Sequence, residues 1–428
     1  MKPISKKDYN MIITVSPGAL GGELPAIASK SCAHRLLICA ALSKLPSFIS
    51  CRTVSEDILA TASCLRALGA GVRRAEDGFA VTPIGMVPKG AVLDCGESGS
   101  TLRFMLPVCC ALGADCRFEM GGRLPQRPLS PLYEELCRHG AELSEQGASP
   151  LKVGGRLCGN DFTIPGGVSS QFVSGLLLAL PIMGGGTVTL TGRTESAPYI
   201  QITADCMRKA GVKVAERDGT YTVSGGYDVP ERMSVEGDWS NAAFWLCAGV
   251  LGKNPVSVRG LDVNSVQGDR RIVDIIQSFG GKIETSGGKI TAFPSKLNAC
   301  AIDAGDVPDL VPVLSVLSCA ALGETRIYNA ARLRLKESDR LAAVSDLIGT
   351  LGCSVRQTED GLVITGAGRL RGGSANSWND HRIAMSAAVA SIIADGPVTI
   401  CGAECVNKSY PGFFDDFAAL GGIVSKEE

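Results

Sequence analysis

Residues 99–112 read GSTLRFMLPVCCAL, in which a short polar segment runs directly into an apolar stretch typical of a buried helix. The same arrangement occurs six times along the chain at steps of about 70 residues, a period longer than those of solenoid repeats. The six polar segments are Ser29–Ser31, Gly99–Thr101, Ser169–Gln171, Asp238–Ser240, Val307–Asp309 and Asp380–Arg382. A period of this length predicts one compact unit of mixed helices and strands, used six times.

A helix is predicted after each polar segment, and a second helix with flanking strands is predicted before the next segment. The first helices are predicted near Ala33–Ser43, Leu102–Leu112, Phe172–Leu180, Ala242–Val250, Leu310–Leu322 and Ile383–Ile393. The second helices are predicted near Asp57–Leu68, Leu132–Cys137, Ile200–Lys209, Ile272–Phe279 and Leu341–Leu351. Each second helix precedes a glycine, the residue that commonly ends a helix. Because no linker-like run separates the units, we expect two domains of three units each, with a boundary near Asp238.

The starts of the first helices are predicted to bind anions. The first N–H groups of a helix have no partner within the helix, and its N-terminus carries a partial positive charge. A single polar residue such as Ser169 is most often only a helix cap, but here cations stand beside several of the starts. Arginine suits planar carboxylates and phosphates. The candidate cations are Lys30, Arg35, Arg103, Arg123, Lys336, Arg340, Arg382 and Lys408. This set predicts a heavily anionic ligand.

The composition excludes several other classes of protein. The formal net charge is −1 and aromatic residues make up 5% of the chain, so neither a basic field nor a base-stacking surface predicts binding to nucleic acid. No run of about 18 apolar residues occurs, and we therefore predict no membrane contact. With three histidines in the chain, we predict no metal site.

The 17 cysteines occur at irregular spacings, and none forms a C-x-x-C pair. Most stand within apolar stretches, as Cys109 and Cys110 do. We interpret them as buried free thiols, which are typical of a reducing compartment. The start of the sequence also lacks the charged-then-apolar pattern of a signal peptide. The predicted location is the cytoplasm.

Nine motifs follow one another along the chain: Ser29–Ser31 with Arg35, Gly99–Arg103, Arg123–Pro128, Ser169–Phe172, Ser196–Tyr199, Pro308–Asp309, Lys336–Arg340, Asn379–Arg382 and Lys408–Pro411. In this order they resemble the 5-enolpyruvylshikimate-3-phosphate synthase family over nearly the whole chain. The resemblance implies an α/β fold, a two-domain inside-out α/β barrel built from six βαβαββ repeats. It also implies that residues 1–20 and 237–428 form the first domain and residues 21–236 the second. From its pattern alone, the strand predicted at Met11–Ser16 could pair in either domain.

The resemblance implies a reaction as well. In it, the enolpyruvyl group of phosphoenolpyruvate is transferred to the 5-hydroxyl of shikimate 3-phosphate with release of phosphate, a step of chorismate and aromatic amino acid biosynthesis. The transfer is an addition followed by an elimination, through a tetrahedral intermediate. Each substrate carries a carboxylate and a phosphate, so many cations are needed to hold both side by side. The implied partners are these two small molecules; no cofactor is implied, and a monomer is expected.

The resemblance assigns residues to both substrates. The residues assigned to shikimate 3-phosphate are Lys30, Ser31, Arg35, Ser169, Ser170, Gln171, Ser196, Tyr199, Asp309 and Lys336. Those assigned to phosphoenolpyruvate are Lys30, Gly99, Arg103, Arg123, Gln171, Arg340, Arg382 and Lys408. Glyphosate commonly occupies the phosphoenolpyruvate site in this family, with the glycine that matches Gly99 against its phosphonate.

The reaction needs a base near the 5-hydroxyl and an acid near the methylene carbon. Asp309 is the predicted base, because a position at the start of a helix favours its ionised form. Glu337 is the predicted proton donor, although its basic neighbours favour the ionised carboxylate. Lys30 or Lys408 is the alternative donor. His381 is expected to hydrogen-bond within the site.

Two positions depart from the family pattern. Glu97 stands where many members have asparagine, and Arg332 stands where some do. A carboxylate aimed at phosphoenolpyruvate would oppose binding, so we expect Glu97 to be turned away or paired. Arg332 adds either a contact to an anion or a surface ion pair.

Two alternative functions differ from this interpretation. The sister enzyme that transfers enolpyruvyl to UDP-N-acetylglucosamine usually has a cysteine after its paired glycines, whereas Arg123 follows Gly121 and Gly122 here. A non-catalytic anion-binding repeat protein would keep its function when Asp309 and Glu337 are neutralised. The segments Ser169–Gln171 and Lys336–Glu337 favour shikimate 3-phosphate over the sister substrate, and the presence of both carboxylates within the basic set argues against the anion-binding protein.

Overall fold

Each of the six sequence repeats corresponds to one four-stranded sheet with its helices. The computed structural model describes residues 11–427, which contain 24 strands and 12 α-helices. The strands are β1 (Ile12–Ser16), β2 (Gly22–Pro25), β3 (Ser47–Ser50), β4 (Gly71–Ala75), β5 (Gly78–Thr82), β6 (Ala91–Asp94), β7 (Cys116–Glu119), β8 (Ala141–Leu143), β9 (Leu151–Gly155), β10 (Asp161–Pro165), β11 (Gly185–Thr191), β12 (Val214–Arg217), β13 (Thr220–Ser224), β14 (Arg232–Ser234), β15 (Val256–Arg259), β16 (Lys282–Ser286), β17 (Lys289–Phe293), β18 (Ala301–Asp303), β19 (Glu324–Tyr328), β20 (Ser354–Gln357), β21 (Leu362–Thr365), β22 (Gly373–Asn376), β23 (Val398–Cys401) and β24 (Ile423–Glu427). The helices are α1 (Lys30–Ala41), α2 (Glu56–Ala67), α3 (Gly99–Leu112), α4 (Leu132–Arg138), α5 (Ser170–Ala179), α6 (Ala197–Lys209), α7 (Trp239–Leu251), α8 (Ile272–Ser278), α9 (Val311–Ala320), α10 (Arg340–Thr350), α11 (His381–Ala390) and α12 (Phe413–Ala419).

Side-chain caps decide where most of the first helices begin. In five of them the residue before the helix accepts a hydrogen bond from a backbone N–H of the first turn. These caps are Ser29, Ser98, Ser169, Asp238 and Asp380. The predicted first helices are therefore confirmed, but they begin earlier than predicted, because the polar segments themselves form the first turns.

The sixth first helix, α9, begins differently. Residues Pro308–Leu310 form a single 3-10 turn, and the α-helix starts only at Val311. The expectation that Asp309 begins a helix is corrected accordingly: it lies in the turn ahead of α9. Its side chain is available for ion pairs because it does not cap the helix.

The predicted second helices are confirmed within one turn at each end. Each is followed at its C-terminal side by a glycine with a positive φ angle, from +78° at Gly211 to +97° at Gly69. Residues with side chains rarely adopt this conformation, so glycine ends the helix and turns the chain into the next strand. The same device in five places explains why the repeats could be recognised from the sequence.

All six sheets share one strand order. In the sheet β6-β7-β9-β8, the first two strands are parallel, with Ala91 opposite Cys116, and the remaining pairs are antiparallel. The helices α3 and α4 follow the first and second strands, which gives the predicted βαβαββ repeat. The described strands form open four-stranded sheets and close no hydrogen-bonded barrel, while the predicted α/β class is confirmed.

Three strands pair far from their sequence neighbours. Strand β2 directly precedes α1 but pairs in parallel with β15, whereas β14 directly precedes α7 but pairs in parallel with β3. The strand predicted at Met11–Ser16 is β1, and it lies between β23 and β24. At each of the two places where the chain passes from one half to the other, the strand before the passage therefore pairs within the half that the chain is leaving.

The described residues fall into two compact units. Unit A comprises the residues up to Ile27 together with those from Gly237 onward, and unit B comprises Ala28–Glu236. Pairing of β2 with β15 places β2 in unit A, although the predicted boundary after residue 20 had assigned it to the other domain. Residues 1–10 of the predicted first domain lie outside the described part of the chain.

Each unit has its own hydrophobic core. Helices α1, α3 and α5 of unit B are buried along most of their length, as are α7, α9 and α11 of unit A. Since these helices fill the interiors, their N-termini carry the polar segments to defined places in each unit. Within residues 11–427, no helix combines the length and apolar character required to cross a bilayer.

Candidate active site

Arg340 is the centre of a buried ion cluster in unit A. It is the first residue of α10 and is 1% exposed. Its Nε donates to Asp380 Oδ2, its Nη1 to Asp309 Oδ1 and its Nη2 to Glu337 Oε2, each at 2.7 Å. We call Asp309, Glu337, Arg340, Asp380 and Arg382 the carboxylate–arginine cluster. Burial alone would lower the pKa of Arg340, but Asp380, Glu337 and Asp309 raise it well above the usual value.

Asp309 is held by cations on both of its carboxylate oxygens. Oδ1 accepts from Arg340 and lies 3.7 Å from Lys336 Nζ, whereas Oδ2 accepts from Arg382 Nη2 at 3.0 Å. Arg382 Nη1 also donates to the backbone oxygen of Asp309 at 3.2 Å. The structure therefore brings together the two carboxylates predicted for catalysis and three of the predicted cations.

Lys336 and one further predicted cation, Lys408, lie in unit A. Burial lowers the pKa of Lys336, with Arg340 acting in the same direction and Asp309 opposing it. Lys408 is buried and donates to the backbone oxygen of Asn379 at 2.9 Å, next to the start of α11. His381 is buried as the first residue of that helix.

Asp269 extends the cluster and was not singled out in the sequence. It lies in a 3-10 turn, Gly268–Arg271, ahead of α8 and is 4% exposed. The hydroxyl of Ser240 donates to Asp269 Oδ2, and Arg382 Nη2 donates to the same hydroxyl oxygen at 3.3 Å. Ser240 therefore connects a buried carboxylate to the cluster instead of capping α7, whose cap is Asp238.

A second group of site residues surrounds the start of α3 in unit B. Arg103 is 4% exposed, and it donates through Nη1 to Gln171 Oε1 at 3.0 Å and through Nη2 to the backbone oxygen of Pro128 at 3.1 Å. Gln171 Nε2 in turn donates to Ser100 Oγ at 2.9 Å. We call Gly99, Ser100, Arg103, Arg127 and Gln171 the Gly99 cluster.

Arg127, and not the predicted Arg123, lies at Gly99. A Cβ atom built on Gly99 would lie 2.6 Å from Arg127 Nη1 and 2.6 Å from Arg103 Nη1. The two arginines are separated by a 3-10 turn, Leu124–Gln126, which leaves Arg123 exposed and Arg127 half-buried. Arg127 therefore joins the candidate site, and the assignment of Arg123 stays a prediction. The sequence showed both guanidinium groups, but their spacing did not reveal which one the turn directs to α3.

Glu97 packs against the paired glycines. A Cβ atom built on Gly122, which has a φ angle of +53°, would lie 2.6 Å from Glu97 Cδ. Glycine at this position thus permits both the backbone conformation and the approach of the carboxylate. Arg332, the other departure, donates through Nη2 to the backbone oxygen of Gly305 at 3.3 Å.

The start of α1 carries three predicted residues in different environments. Lys30 Nζ lies 2.7 Å from Asp57 Oδ2, and Ser31 is half-buried beside it. Arg35 is 2% exposed, and it donates to Thr203 Oγ1 at 2.7 Å, to Ser174 Oγ at 3.2 Å and to the backbone oxygens of Ser31 and Tyr199 at 2.6 and 3.0 Å. Four of its five N–H groups are thus used inside unit B.

The remaining predicted residues lie at two helix starts of unit B. Ser169 caps α5 by accepting from the backbone N–H of Gln171, and Ser170 is buried as the first residue of that helix. Ser196 precedes α6 in the left-handed region, with a φ angle of +52°, and is 4% exposed. Such a conformation is uncommon for serine and marks a position fixed by its surroundings. Tyr199 is half-buried in the first turn of α6.

The two clusters have complementary chemistry. The Gly99 cluster offers guanidinium groups and a helix N-terminus, which suits a phosphate or a carboxylate. The carboxylate–arginine cluster offers cations together with carboxylates that can accept or donate a proton. Among residues 11–427, no group of three or more His, Cys, Asp or Glu side chains is arranged to hold a metal ion.

Comparisons with known proteins agree on one family. A family model described as EPSP synthase (3-phosphoshikimate 1-carboxyvinyltransferase) matches residues 15–417. The chain is 41% identical to the 3-phosphoshikimate 1-carboxyvinyltransferase of Clostridium kluyveri over 97% of this chain and 98% of that protein. It is 39% identical to the protein of the same name from Clostridium acetobutylicum over 96% of this chain and 98% of that protein.

Solved structures show the same likeness. EPSP synthase from Acinetobacter baumannii superposes with a TM-score of 0.82 at 25% identity and covers 98% of this chain and 100% of its own. The enolpyruvyl transferase NikO from Streptomyces tendae superposes with a TM-score of 0.78 at 16% identity, with 97% and 98% coverage, which shows a shared fold.

Proposed function

The chain belongs to the EPSP synthase family, and we propose that its two clusters bind phosphoenolpyruvate and shikimate 3-phosphate and transfer the enolpyruvyl group between them. The observation that carries this proposal is the Asp309 carboxylate, which accepts hydrogen bonds from two buried arginines, Arg340 and Arg382. A carboxylate in this setting can accept a proton from a hydroxyl group while the cations beside it hold anionic substrates.

The proposed chemistry proceeds in two steps. In the addition, Asp309 accepts the proton of the 5-hydroxyl, the hydroxyl oxygen attacks C2 of phosphoenolpyruvate, and Glu337 gives a proton to C3. In the elimination, C3 returns its proton to Glu337, the bond from C2 to the phosphate oxygen breaks, and phosphate leaves with the proton that the hydroxyl lost. Lys30 and Lys408 remain alternative donors to C3. No step requires a cofactor.

The proposed substrate contacts follow the family assignment with one change. Phosphoenolpyruvate is proposed to contact Lys30, Gly99, Arg103, Arg127, Gln171, Arg340, Arg382 and Lys408. Shikimate 3-phosphate is proposed to contact Lys30, Ser31, Arg35, Ser169, Ser170, Gln171, Ser196, Tyr199, Asp309 and Lys336. The contribution of Arg35 is limited because four of its five N–H groups are used inside unit B, where it joins α1 to α5 and α6.

A direct assay tests the function. Phosphate release from phosphoenolpyruvate is measured without added metal, with shikimate 3-phosphate, with UDP-N-acetylglucosamine or with no acceptor. We expect release only with shikimate 3-phosphate, as the names of the relatives at 41% and 39% identity support. Release with UDP-N-acetylglucosamine would identify the sister activity, and binding without release would identify an anion-binding protein.

We extend the proposal to the state of the protein in the cell. The proposed form is a cytoplasmic monomer. Among the 17 cysteines, which all lie in the described residues, 14 are buried and all are free thiols, which suits a reducing compartment. Sedimentation velocity of the purified protein tests the monomer, and cell fractionation tests the location.

A further inference from the structure

A path of three buried side chains leads from Asp269 into the carboxylate–arginine cluster. Asp269, Ser240 and Arg382 are 4%, 8% and 4% exposed, and they belong to three separate elements: the turn before α8, the first turn of α7 and the first turn of α11. The path ends at Asp309, the proposed base, because Arg382 Nη2 donates to both Ser240 Oγ and Asp309 Oδ2.

The direction of the hydrogen bonds is fixed by chemistry. A guanidinium group only donates, so Ser240 Oγ must accept from Arg382. The single hydrogen of the serine hydroxyl is then given to Asp269 Oδ2. Asp269 therefore determines which way the Ser240 hydroxyl points, and the orientation of that hydroxyl determines whether a lone pair faces Arg382.

We propose that Asp269 is a positioning residue, which acts through the Ser240 hydroxyl to hold the Arg382 guanidinium group in the orientation that binds Asp309 and phosphoenolpyruvate. This inference rests on the proposed function, since it assigns Arg382 and Asp309 to the reaction. Asp269 acts through Ser240 and Arg382, and no contact between Asp269 and a substrate is required.

The charged groups around Asp269 make the arrangement depend on pH. Burial raises the pKa of Asp269 to about 7, and Asp309 and Asp238 act in the same direction, whereas Arg382 and the hydrogen bond from Ser240 oppose them. Above that pH the carboxylate accepts from Ser240. Below it the protonated carboxyl can itself donate to Ser240, whose hydrogen then turns away from Asp269 and competes with Arg382.

The first experiment removes the Ser240 hydroxyl, which connects Asp269 to Arg382. Ser240→Ala deletes the hydroxyl, and Ser386→Ala is the matched control, because Ser386 is also buried, on α11, but its hydroxyl bonds none of these residues. We expect Ser240→Ala to raise KM for phosphoenolpyruvate and lower kcat, with kcat/KM reduced about tenfold to 10²-fold, as for a misplaced catalytic group. Ser386→Ala should keep the parent's values. Equal kinetics in the two variants, with an active parent, would overturn the proposal.

The second experiment uses the acid itself and does not depend on Ser240→Ala being well folded. Asp269→Asn keeps an oxygen that can accept from Ser240 but removes the ionisation. In the parent, kcat/KM should fall as the pH drops through about 7. In Asp269→Asn this fall in kcat/KM should be absent, whereas the effect of titrating the substrate phosphates should remain in both proteins. A fall in kcat/KM at the same pH and of the same size in both proteins contradicts the inference. An inactive parent would instead contradict the proposed function.

Discussion

The Arg340 side chain is 1% exposed, and its Nη1 donates a hydrogen bond of 2.7 Å to Asp309 Oδ1. Burying a cation is costly unless negative charges pair with it, and Asp380 and Glu337, each 2.7 Å from Arg340, supply the further negative charges. The carboxylates proposed for catalysis, Asp309 and Glu337, are thus also the partners of a buried structural cation. A substitution in the cluster is therefore expected to change the stability of unit A as well as the proposed chemistry.

Neutralising the proposed acid and base should affect turnover more than binding. Asp309→Asn and Glu337→Gln keep the shape of each side chain but remove its proton chemistry. We expect kcat to fall by about 10²-fold or more, while the affinity for the anionic substrates is retained because no cation is lost. Glu324→Gln, at an exposed position of β19, is the control and should match the parent. Turnover within threefold of the parent for either variant would remove that residue from the mechanism.

The Asp380–Arg340 pair should contribute far more to stability than a surface pair of the same length. Asp380→Asn leaves the buried guanidinium group without one of its counter-charges, so we expect a loss of about 3 kcal/mol in the free energy of unfolding. Asp395 and Arg369 also lie 2.7 Å apart, but their side chains are 57% and 77% exposed. Asp395→Asn should therefore change the free energy of unfolding by about 0.5 kcal/mol or less. Urea denaturation of both variants measures the difference, and similar losses would contradict this account.

The local elements could be predicted from the sequence, but the pairing of strands that are distant in sequence could not. Caps such as Ser29 and helix-ending glycines such as Gly69 act on their immediate neighbours, so they are readable in one chain. The pairing of β2 with β15 joins segments more than 200 residues apart, and the alternation of apolar residues does not specify a partner strand. Only the resemblance implied that the chain returns to its first domain.

The candidate site shows the same division between local and distant information. Residues within the repeated polar segments, such as Asp309 and Arg382, were found because the repeat marks them. Asp269 stands about 30 residues beyond its segment, and only the packing of its turn against α7 brings it to Ser240. The resemblance assigns Arg123, and a spacing of four residues in a loop does not reveal that a 3-10 turn places Arg127 against Gly99.

The two arginines of that loop provide a matched pair. Arg127→Gln removes a guanidinium group that lies against Gly99, so we expect KM for phosphoenolpyruvate to rise tenfold to about 10²-fold, as for the loss of a charged hydrogen bond. Arg123→Gln removes an exposed side chain and should change KM by less than about threefold. Steady-state kinetics at saturating shikimate 3-phosphate distinguishes the two. A larger effect from Arg123 would restore the original assignment.

The raised pKa of Asp269 has a consequence for stability that is independent of catalysis. The folded state favours the protonated carboxyl, so its stabilising effect is complete below the unfolded pKa near 4 and is lost as the pH rises through about 7. Between pH 5 and pH 8 the parent should therefore lose roughly 3 kcal/mol relative to Asp269→Asn, whose amide does not ionise. Urea denaturation of both proteins at the two pH values measures this change. Parallel stability profiles would show that Asp269 has an ordinary pKa.

Gly99 should control the response to glyphosate. A methyl group there would meet Arg103 Nη1 and Arg127 Nη1 at 2.6 Å each, so both guanidinium ends must move, and we expect this to disturb the proposed ligand site. Glyphosate is longer than phosphoenolpyruvate and should be crowded more. We expect the parent to be sensitive to glyphosate, and Gly99→Ala to raise the inhibition constant at least tenfold, about 1.4 kcal/mol, with a smaller rise in KM for phosphoenolpyruvate.

The control for this prediction is Gly85→Ala, because a Cβ atom at Gly85 meets nothing within 4 Å. It should leave both the inhibition constant and KM at the parent's values. The steric account requires the two constants to separate in Gly99→Ala, since displaced arginines alone would weaken both ligands alike. Equal losses for inhibitor and substrate would therefore refute it. A parent that resists millimolar glyphosate would instead show that this loop, in which Glu97 packs on Gly122, differs from the family pattern in its effect on the inhibitor.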